Sequence, residues 1–296
     1  LACKYCYYLE KNHLYQNTPR HLMSDEMLEQ FTREYIEAQT MPQVLFTWHG
    51  GEPLMRSIDF YKKALALQKK YAHGKQIDNV IQTNGTLLTD EWCEFFAQNH
   101  WLVGISIDGP QEYHDHYRVT PAGKPSWEKV MQGISLLKKH RVEWNAMAVV
   151  NAYNAEHPLE FYHFFRDNGC QYLQFTPIVE RLTEHEDGRT LASLADDREI
   201  PLADASVTPA QWGNFLCTIF DDWVRHDVGK MFVEIFDCTL ANWMGVLPGI
   251  CAYSKECGHA GVMEHNGDVY SCDHFVFPEY KLGNIREQSL IDMLYG

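Results

Sequence analysis

The chain has 296 residues, 45% hydrophobic and 22% charged, an ordinary globular mix that excludes a disordered or fibrous protein. At about 150 residues per domain this makes two domains or one large α/β domain, with room for a sizeable core. Twenty-five basic residues against forty acidic ones give a net charge of −15, which argues against a nucleic-acid partner bound through broad phosphate contacts. No apolar run approaches the roughly 18 residues of a membrane span, so no membrane partner is expected. No basic, apolar signal peptide opens the chain. An opening of Leu1-Ala2-Cys3 reads as the start of a fragment.

Taken in chain order, Cys3-x-x-Cys6 comes first, followed by Tyr7-Tyr8. Ser24 then reads as the N-cap of a helix, with Asp25 and Glu26 in its first turn and Met27, Leu28, Phe31 and Tyr35 on one face. Strands are predicted at Gln43–Trp48, Ile77–Gln82, Leu102–Ile107, Val142–Val150 and Gln171–Phe175. Helices are predicted near 57–72, 89–98, 125–140 and 155–168. Strands alternating with helices of this length form βαβ units and a parallel sheet. Polar or Gly-rich segments follow the strand ends, at His49-Gly50-Gly51-Glu52-Pro53, Thr83-Asn84-Gly85 and Asp108-Gly109-Pro110. That is where parallel sheets place their chemistry.

The pattern changes after residue 180. Glu180–Ser206 is polar without a clear period and reads as a long loop or lid. Thr208-Pro209-Ala210-Gln211 is a capping box that opens a helix, with Trp212, Phe215, Leu216, Ile219, Phe220 and Trp223 forming a core stripe. Asn266-Gly267, between Val262–His265 and Asp268–Cys272, is a strong hairpin signal. A two-residue turn there sets His265 opposite Asp268 and Gly261 opposite Cys272.

The nine cysteines fall into two groups. Cys93, Cys170, Cys217 and Cys238 stand alone among apolar residues and read as buried small hydrophobes. Cys3 and Cys6, with Cys251, Cys257 and Cys272, cluster beside glycines, histidines and aromatics, and the hairpin would return Cys272 to the neighbourhood of Cys257-Gly258-His259-Ala260-Gly261. Three thiolates gathered there suit an iron–sulfur cluster or zinc, with the fourth ligand not visible. An odd count and no secretory signal argue against a disulfide scaffold and for a cytoplasmic protein.

Cys3-x-x-Cys6 alone is a weak signal. Followed at successive strand ends by Gly50-Gly51-Glu52-Pro53, Thr83-Asn84-Gly85 and Ser106-Ile107-Asp108-Gly109-Pro110, with His114-Asp115 and Arg118 behind, it resembles the radical S-adenosylmethionine (SAM) superfamily. That family's signature is C-x3-C-x-aromatic-C. Cys3 and Cys6 match its second and third cysteines and Tyr5 its aromatic, so the first cysteine and the first strand would precede Leu1. From Cys257 to Cys272-Asp273-His274-Phe275 and Leu282-Gly283-Asn284-Ile285, the chain is similar to the SPASM extension, and more narrowly to the anaerobic sulfatase-maturating enzymes. The full extension has further cysteines beyond this stretch, so truncation at both ends is expected.

The resemblance implies a partial (β/α)6 TIM-like α/β barrel over 1–180, a linker or lid and connecting helix over 181–230, and a small Cys-rich α+β SPASM-like region over 231–296. It implies a [4Fe–4S] cluster on Cys3 and Cys6, SAM, and auxiliary [4Fe–4S] clusters on Cys251, Cys257 and Cys272. Tyr5, Gly50, Gly51, Glu52, Asn84, Ser106, Asp108 and Arg118 would line the SAM site, with Glu52 opposite the SAM ammonium. Asp273 would be the base that helps turn a Cys or Ser of an unfolded sulfatase into formylglycine, and His49 would touch the substrate. The implied reductant is a flavodoxin- or ferredoxin-type protein. Another SPASM-type peptide maturase, making a thioether or a quinone cofactor, and a non-catalytic zinc-binding protein are the alternative readings.

Overall fold

The structure, a computed structural model, describes residues 1–6, 8, 15, 21–185, 188–191, 199–258 and 260–296. Tyr7 and His259 lie outside the described residues.

A Ser24 N-cap, accepting from Met27 N at 3.2 Å, opens α1 (Asp25–Ala38). Then β1 (Gln43–Trp48), α2 (Ile58–Tyr71), β2 (Gln76–Thr83), α3 (Asp90–Gln98), β3 (Leu102–Ser106), α4 (Gln111–Tyr117), α5 (Trp127–Lys139), β4 (Glu143–Val150), α6 (Pro158–Asp167) and β5 (Tyr172–Pro177) alternate. The short α4 was not expected; seven residues give too little periodicity to read. The strands pair in parallel in sequence order, and β8 (Phe232–Val233) joins β5 as a sixth strand. The sheet therefore extends past residue 180, into the segment expected to be SPASM-like. Its helix-facing side is packed with Ile81, Val103, Ile105, Ala146 and Ala148. Aromatic side chains from α2 and α3, including Tyr61, Trp92 and Phe96, complete that core.

Several expectations after residue 180 need correction. The polar stretch is not wholly a loop, because β6 (Leu182–His185) and β7 (Gly188–Leu191) pair as an antiparallel ribbon within it. Leu182-Thr183-Glu184-His185 and Gly188-Arg189-Thr190-Leu191 show no apolar alternation, so the sequence pattern does not advertise the ribbon. Residues 186–187 and 192–198 of this stretch lie outside the described residues. The core stripe holds at Phe215, Ile219 and Trp223 on α7 (Pro209–His226), whose capping box forms as read, while Phe220 is 43% exposed. Of the four solitary cysteines, Cys93 and Cys170 are buried, whereas Cys217 is exposed and Cys238 half-buried.

After α8 (Glu234–Trp243), the chain ends in an antiparallel sheet of β9 (Val262–Met263), β10 (Asp268–Tyr270) and β11 (Lys281–Asn284), closed by α9 (Leu290–Tyr295). The hairpin register is Tyr270 opposite Val262 and Val269 opposite Met263, one residue away from the expected pairing. His265 therefore sits in a three-residue turn. Gly267 adopts φ +91°, and Asn266 Oδ1 accepts from Asp268 N at 3.1 Å. A three-residue loop with a left-handed glycine is the next alternative to a two-residue turn. Gly267 also lies against Met27, where a Cβ would come within 2.7 Å of Met27 Cε. Met27 joins Val269, Ile285, Leu290 and Met293 in a small second core, and Gln30 Nε2 donates to Ile285 O at 2.6 Å. Helix α1 thus divides its apolar surface, giving Leu28 to the main core and Met27 to the C-terminal sheet.

Candidate active site at the carboxyl edge of the sheet

Because all six strands of the main sheet run in parallel, the segments after β1, β2 and β3 share one edge. After β1, Gly50 and Gly51 take φ +91° and +55°, a left-handed pair that side chains resist. The pair turns the chain so that Glu52 points back across the sheet. Glu52 accepts from Thr83 Oγ1 at 2.6 Å, Asn84 N at 2.9 Å and Leu54 N at 3.0 Å. All three donors are neutral, and among the described residues no Lys or Arg pairs with it. Burial raises its pKa, with these hydrogen bonds opposing. A desolvated carboxylate lacking a cation suits a ligand ammonium, because such a partner would offset its lost hydration.

The segment after β3 does something different. Asp108 is fully enclosed. Its Oδ1 accepts from Val149 N at 2.9 Å, and its Oδ2 receives the Tyr5 hydroxyl and lies 2.8 Å from Arg118 Nε. Burial alone would lower the Arg118 pKa; the Asp108 carboxylate overrides it and keeps the guanidinium charged. The guanidinium lies 5.5 Å over the Tyr5 ring. Backbone bonds from Ala2 N to Val119 O (2.8 Å) and Lys4 N to Tyr117 O (3.0 Å) fasten the same segment. Tyr5, Asp108 and Arg118 are thus committed to one another, and together they hold Cys3 and Cys6 against this edge.

Cys3 is buried and Cys6 half-buried, joined by a turn in which Cys6 N donates to Cys3 O at 3.0 Å. Burial raises the Cys3 thiol pKa; Arg118 opposes this and Cys6 adds to it. Two thiols in one turn beside a fixed cation suit ligation of an electron-deficient metal cluster.

Ser106 ends β3, and its Oγ accepts from Gln82 Nε2 at 3.0 Å. His49 Nδ1 lies 2.6 Å from the hydroxyl of Tyr8, whose ring edge would be 3.7 Å from a Cβ on Gly50. Behind Asp108 runs a further chain. Asp108 N donates to His114 Nδ1 at 3.2 Å, which places the imidazole proton on Nε2, 3.0 Å from Ser126 Oγ. Ser126 Oγ in turn donates to Arg118 O at 2.6 Å. Burial lowers the His114 pKa to about 4, so the ring is neutral near pH 7.

In the C-terminal sheet, Asp273 follows Cys272, whose thiol donates to Asp273 Oδ1 at 3.2 Å. Burial and Asp273 raise the Cys272 pKa, and the charge of Cys251 is near enough to add to it. The expected three-thiol group does not gather: Cys251 and Cys257 are exposed, and among the described residues no three metal-ligating side chains converge. The register shift moves Cys272 from opposite Gly261, and loops that bind a metal commonly take their shape from it. Tyr8 and Gln82 were not found from sequence. A tyrosine behind the cysteines and a strand glutamine carry no signal until the sheet's neighbours are known.

Six parallel strands with cysteine, glycine–glutamate and serine–aspartate segments along one edge define a radical SAM partial barrel. The family model of the radical SAM superfamily matches residues 1–165, and that of the SPASM iron-sulfur cluster-binding domain matches 255–296. A serine-type anaerobic sulfatase-maturating enzyme of Bacteroides thetaiotaomicron is 71% identical over 296 residues, all of this chain and 72% of that protein. One of Klebsiella aerogenes is 37% identical over 294 residues, 98% of this chain and 67% of that protein. Among solved structures, native anSMEcpe with bound AdoMet superposes with a TM-score of 0.85 at 29% identity, covering 100% of this chain and 77% of the other. The chain belongs to the anaerobic sulfatase-maturating enzymes.

Proposed function

We propose that the chain forms the catalytic core of a serine-type enzyme that oxidises a serine of an unfolded sulfatase to Cα-formylglycine. The observation that carries this reading is the pairing, along one edge, of a desolvated Glu52 that no Lys or Arg side chain among the described residues neutralises with a Cys3–Cys6 turn locked to the barrel. SAM supplies the ammonium that Glu52 lacks. The serine-type character of the Bacteroides and Klebsiella relatives favours serine over cysteine as the residue converted.

When bound, a reduced [4Fe–4S] cluster with SAM supplies the 5′-deoxyadenosyl radical that removes one hydrogen atom from the serine β-carbon. Glu52 holds the ligand's ammonium, helped by Thr83 and Asn84, and Ser106 offers its hydroxyl to the ligand's carboxylate. Gly50 and Gly51 leave the approach to this edge free of side chains. His49, braced by Tyr8, faces the peptide.

Serine must also lose its hydroxyl proton and one further electron to become the aldehyde. Asp273 takes that proton, and an iron–sulfur cluster, if held by Cys251, Cys257 and Cys272, would supply the acceptor for the electron. A base beside an electron acceptor keeps the proton and electron from building up charge separately. We place the protein in the cytoplasm, with a flavodoxin- or ferredoxin-type donor supplying the initiating electron. No helix among the described residues is long and apolar enough to cross a membrane.

Anaerobic reconstitution of the full-length enzyme, followed by SAM, a reductant and a serine-containing sulfatase peptide, tests the proposal. Formylglycine should form together with 5′-deoxyadenosine. SAM cleavage with no aldehyde on that peptide would sink it.

A further inference from the structure

The face of the sheet turned away from the helices carries a polar contact that belongs to none of the strand-end motifs. Gln82 of β2, Gly104 of β3 and Asn145 of β4 lie side by side in the parallel register. Ile81 and Thr83, Val103 and Ile105, and Ala146 are buried on the opposite face, so alternation turns Gln82, Gly104 and Asn145 into the barrel. Gly104 leaves the room. A Cβ there would stand 2.0 Å from Gln82 Oε1 and 3.1 Å from Asn145 Oδ1. The Gln82 side chain therefore crosses β3 where only a glycine permits it.

From that position Gln82 Nε2 donates to Ser106 Oγ at 3.0 Å. A serine hydroxyl has one proton to donate and two lone pairs to accept with. With a lone pair held by an amide N–H, the Ser106 proton must point elsewhere, and it finds no acceptor among the described residues. Asn145 Oδ1, in the same row, is itself buried without a partner.

We propose that Gln82 is a positioning residue: lying across Gly104, it holds Ser106 as a hydrogen-bond donor aimed at the carboxylate of SAM. This rests on the assignment of Ser106 to that carboxylate made above. Gln82 touches neither the ligand nor the reacting atoms. Its contribution is to remove the rotamers in which Ser106 would present a lone pair to an anion.

SAM affinity of the reconstituted full-length enzyme, measured by equilibrium dialysis without reductant so that nothing turns over, tests this in a double-mutant cycle. Ser106→Ala should weaken binding by roughly tenfold to a hundredfold, the scale of a hydrogen bond to a charged group. Gln82→Met keeps the bulk, removes the donor, and should weaken binding by about fivefold, the scale of one neutral hydrogen bond. In the Ser106→Ala background the same change should have no further effect, which a merely structural role could not produce. Gln82→Glu, nearly isosteric, would accept the Ser106 proton and should weaken binding more than Gln82→Met. If Gln82→Met or Gln82→Glu lowers affinity equally with and without Ser106, or leaves it unchanged while Ser106→Ala weakens it, the proposal is overturned and the assignment of Ser106 stands. If Ser106→Ala itself changes nothing, the assignment fails, and the proposal with it.

Discussion

Asp108 and Arg118 form an ion pair, Nε to Oδ2 at 2.8 Å, with the carboxylate fully enclosed and the guanidinium side chain 8% exposed. Removing one member leaves the other charged and dry. Asp108→Asn should therefore cost roughly 3–5 kcal/mol, the range for breaking a buried pair. Replacing both, as Asp108→Asn with Arg118→Met, should recover much of that loss. Chemical denaturation of the full-length apoprotein measures both. A double variant as unstable as the single one would mean that the pair does more than neutralise itself.

His114 gives the same region a pH signature. Its pKa falls from 6.5 to about 4 on folding, because burial disfavours the imidazolium. The unfolded chain then binds the proton first, so this stability is fully present above pH 6.5 and is lost as pH falls toward 4. The shift corresponds to on the order of 3 kcal/mol. His114→Asn, which keeps an acceptor for Asp108 N, should flatten the decline between pH 6.5 and 5. An unchanged slope would place the titration elsewhere.

Most of the barrel was legible in the sequence. The strand at Gln43–Trp48 appears where it was read, because a short apolar run ending in two glycines has few other uses. Glu52 was legible as an acid after those glycines. Its ties to Thr83 and Asn84 were not, since they join loops after different strands. Asp108 shows the limit more sharply. It was expected to line the cofactor site, and only the fold reveals that Tyr5, Arg118 and Val149 N enclose it. The hairpin was visible at Asn266-Gly267, but its register was not, because a turn of two or three residues fits the same dipeptide. The division of α1 between Leu28 and Met27 depends on a strand more than 200 residues away, beyond the reach of any local pattern.

Glu52 should make ligand binding depend on pH. Burial holds its pKa above the ordinary 4.5, and an ammonium partner requires the charged form. SAM affinity should therefore fall as pH is lowered into the range above 4.5 where Glu52 takes up a proton. Without ligand the sign reverses for stability: the folded state binds that proton more tightly, so stability falls as pH rises through the same window. Glu52→Gln should weaken SAM binding by about 1.5–3 kcal/mol and remove the pH dependence. Equal affinity in parent and variant across that range would exclude this role.

Asp273→Asn separates the proton step from the rest. Asn keeps the size of the side chain, so the turn after Cys272 should survive. The variant should keep its iron and its 5′-deoxyadenosine formation, while formylglycine falls by roughly 10²–10⁴-fold, the worth of a positioned base. Cys272→Ala should instead lose iron as well as product. Aldehyde at the parental rate from Asp273→Asn would move the base elsewhere, with His49 the next residue to test.

The most direct test follows one atom. The full-length enzyme is given a sulfatase peptide whose target serine carries deuterium on its β-carbon, and the 5′-deoxyadenosine and the peptide are read by mass spectrometry. Deuterium should appear in the 5′-deoxyadenosine in proportion to a peptide converted to the aldehyde. Deuterium-free 5′-deoxyadenosine alongside that aldehyde, or labelled 5′-deoxyadenosine with the serine intact, would contradict the account.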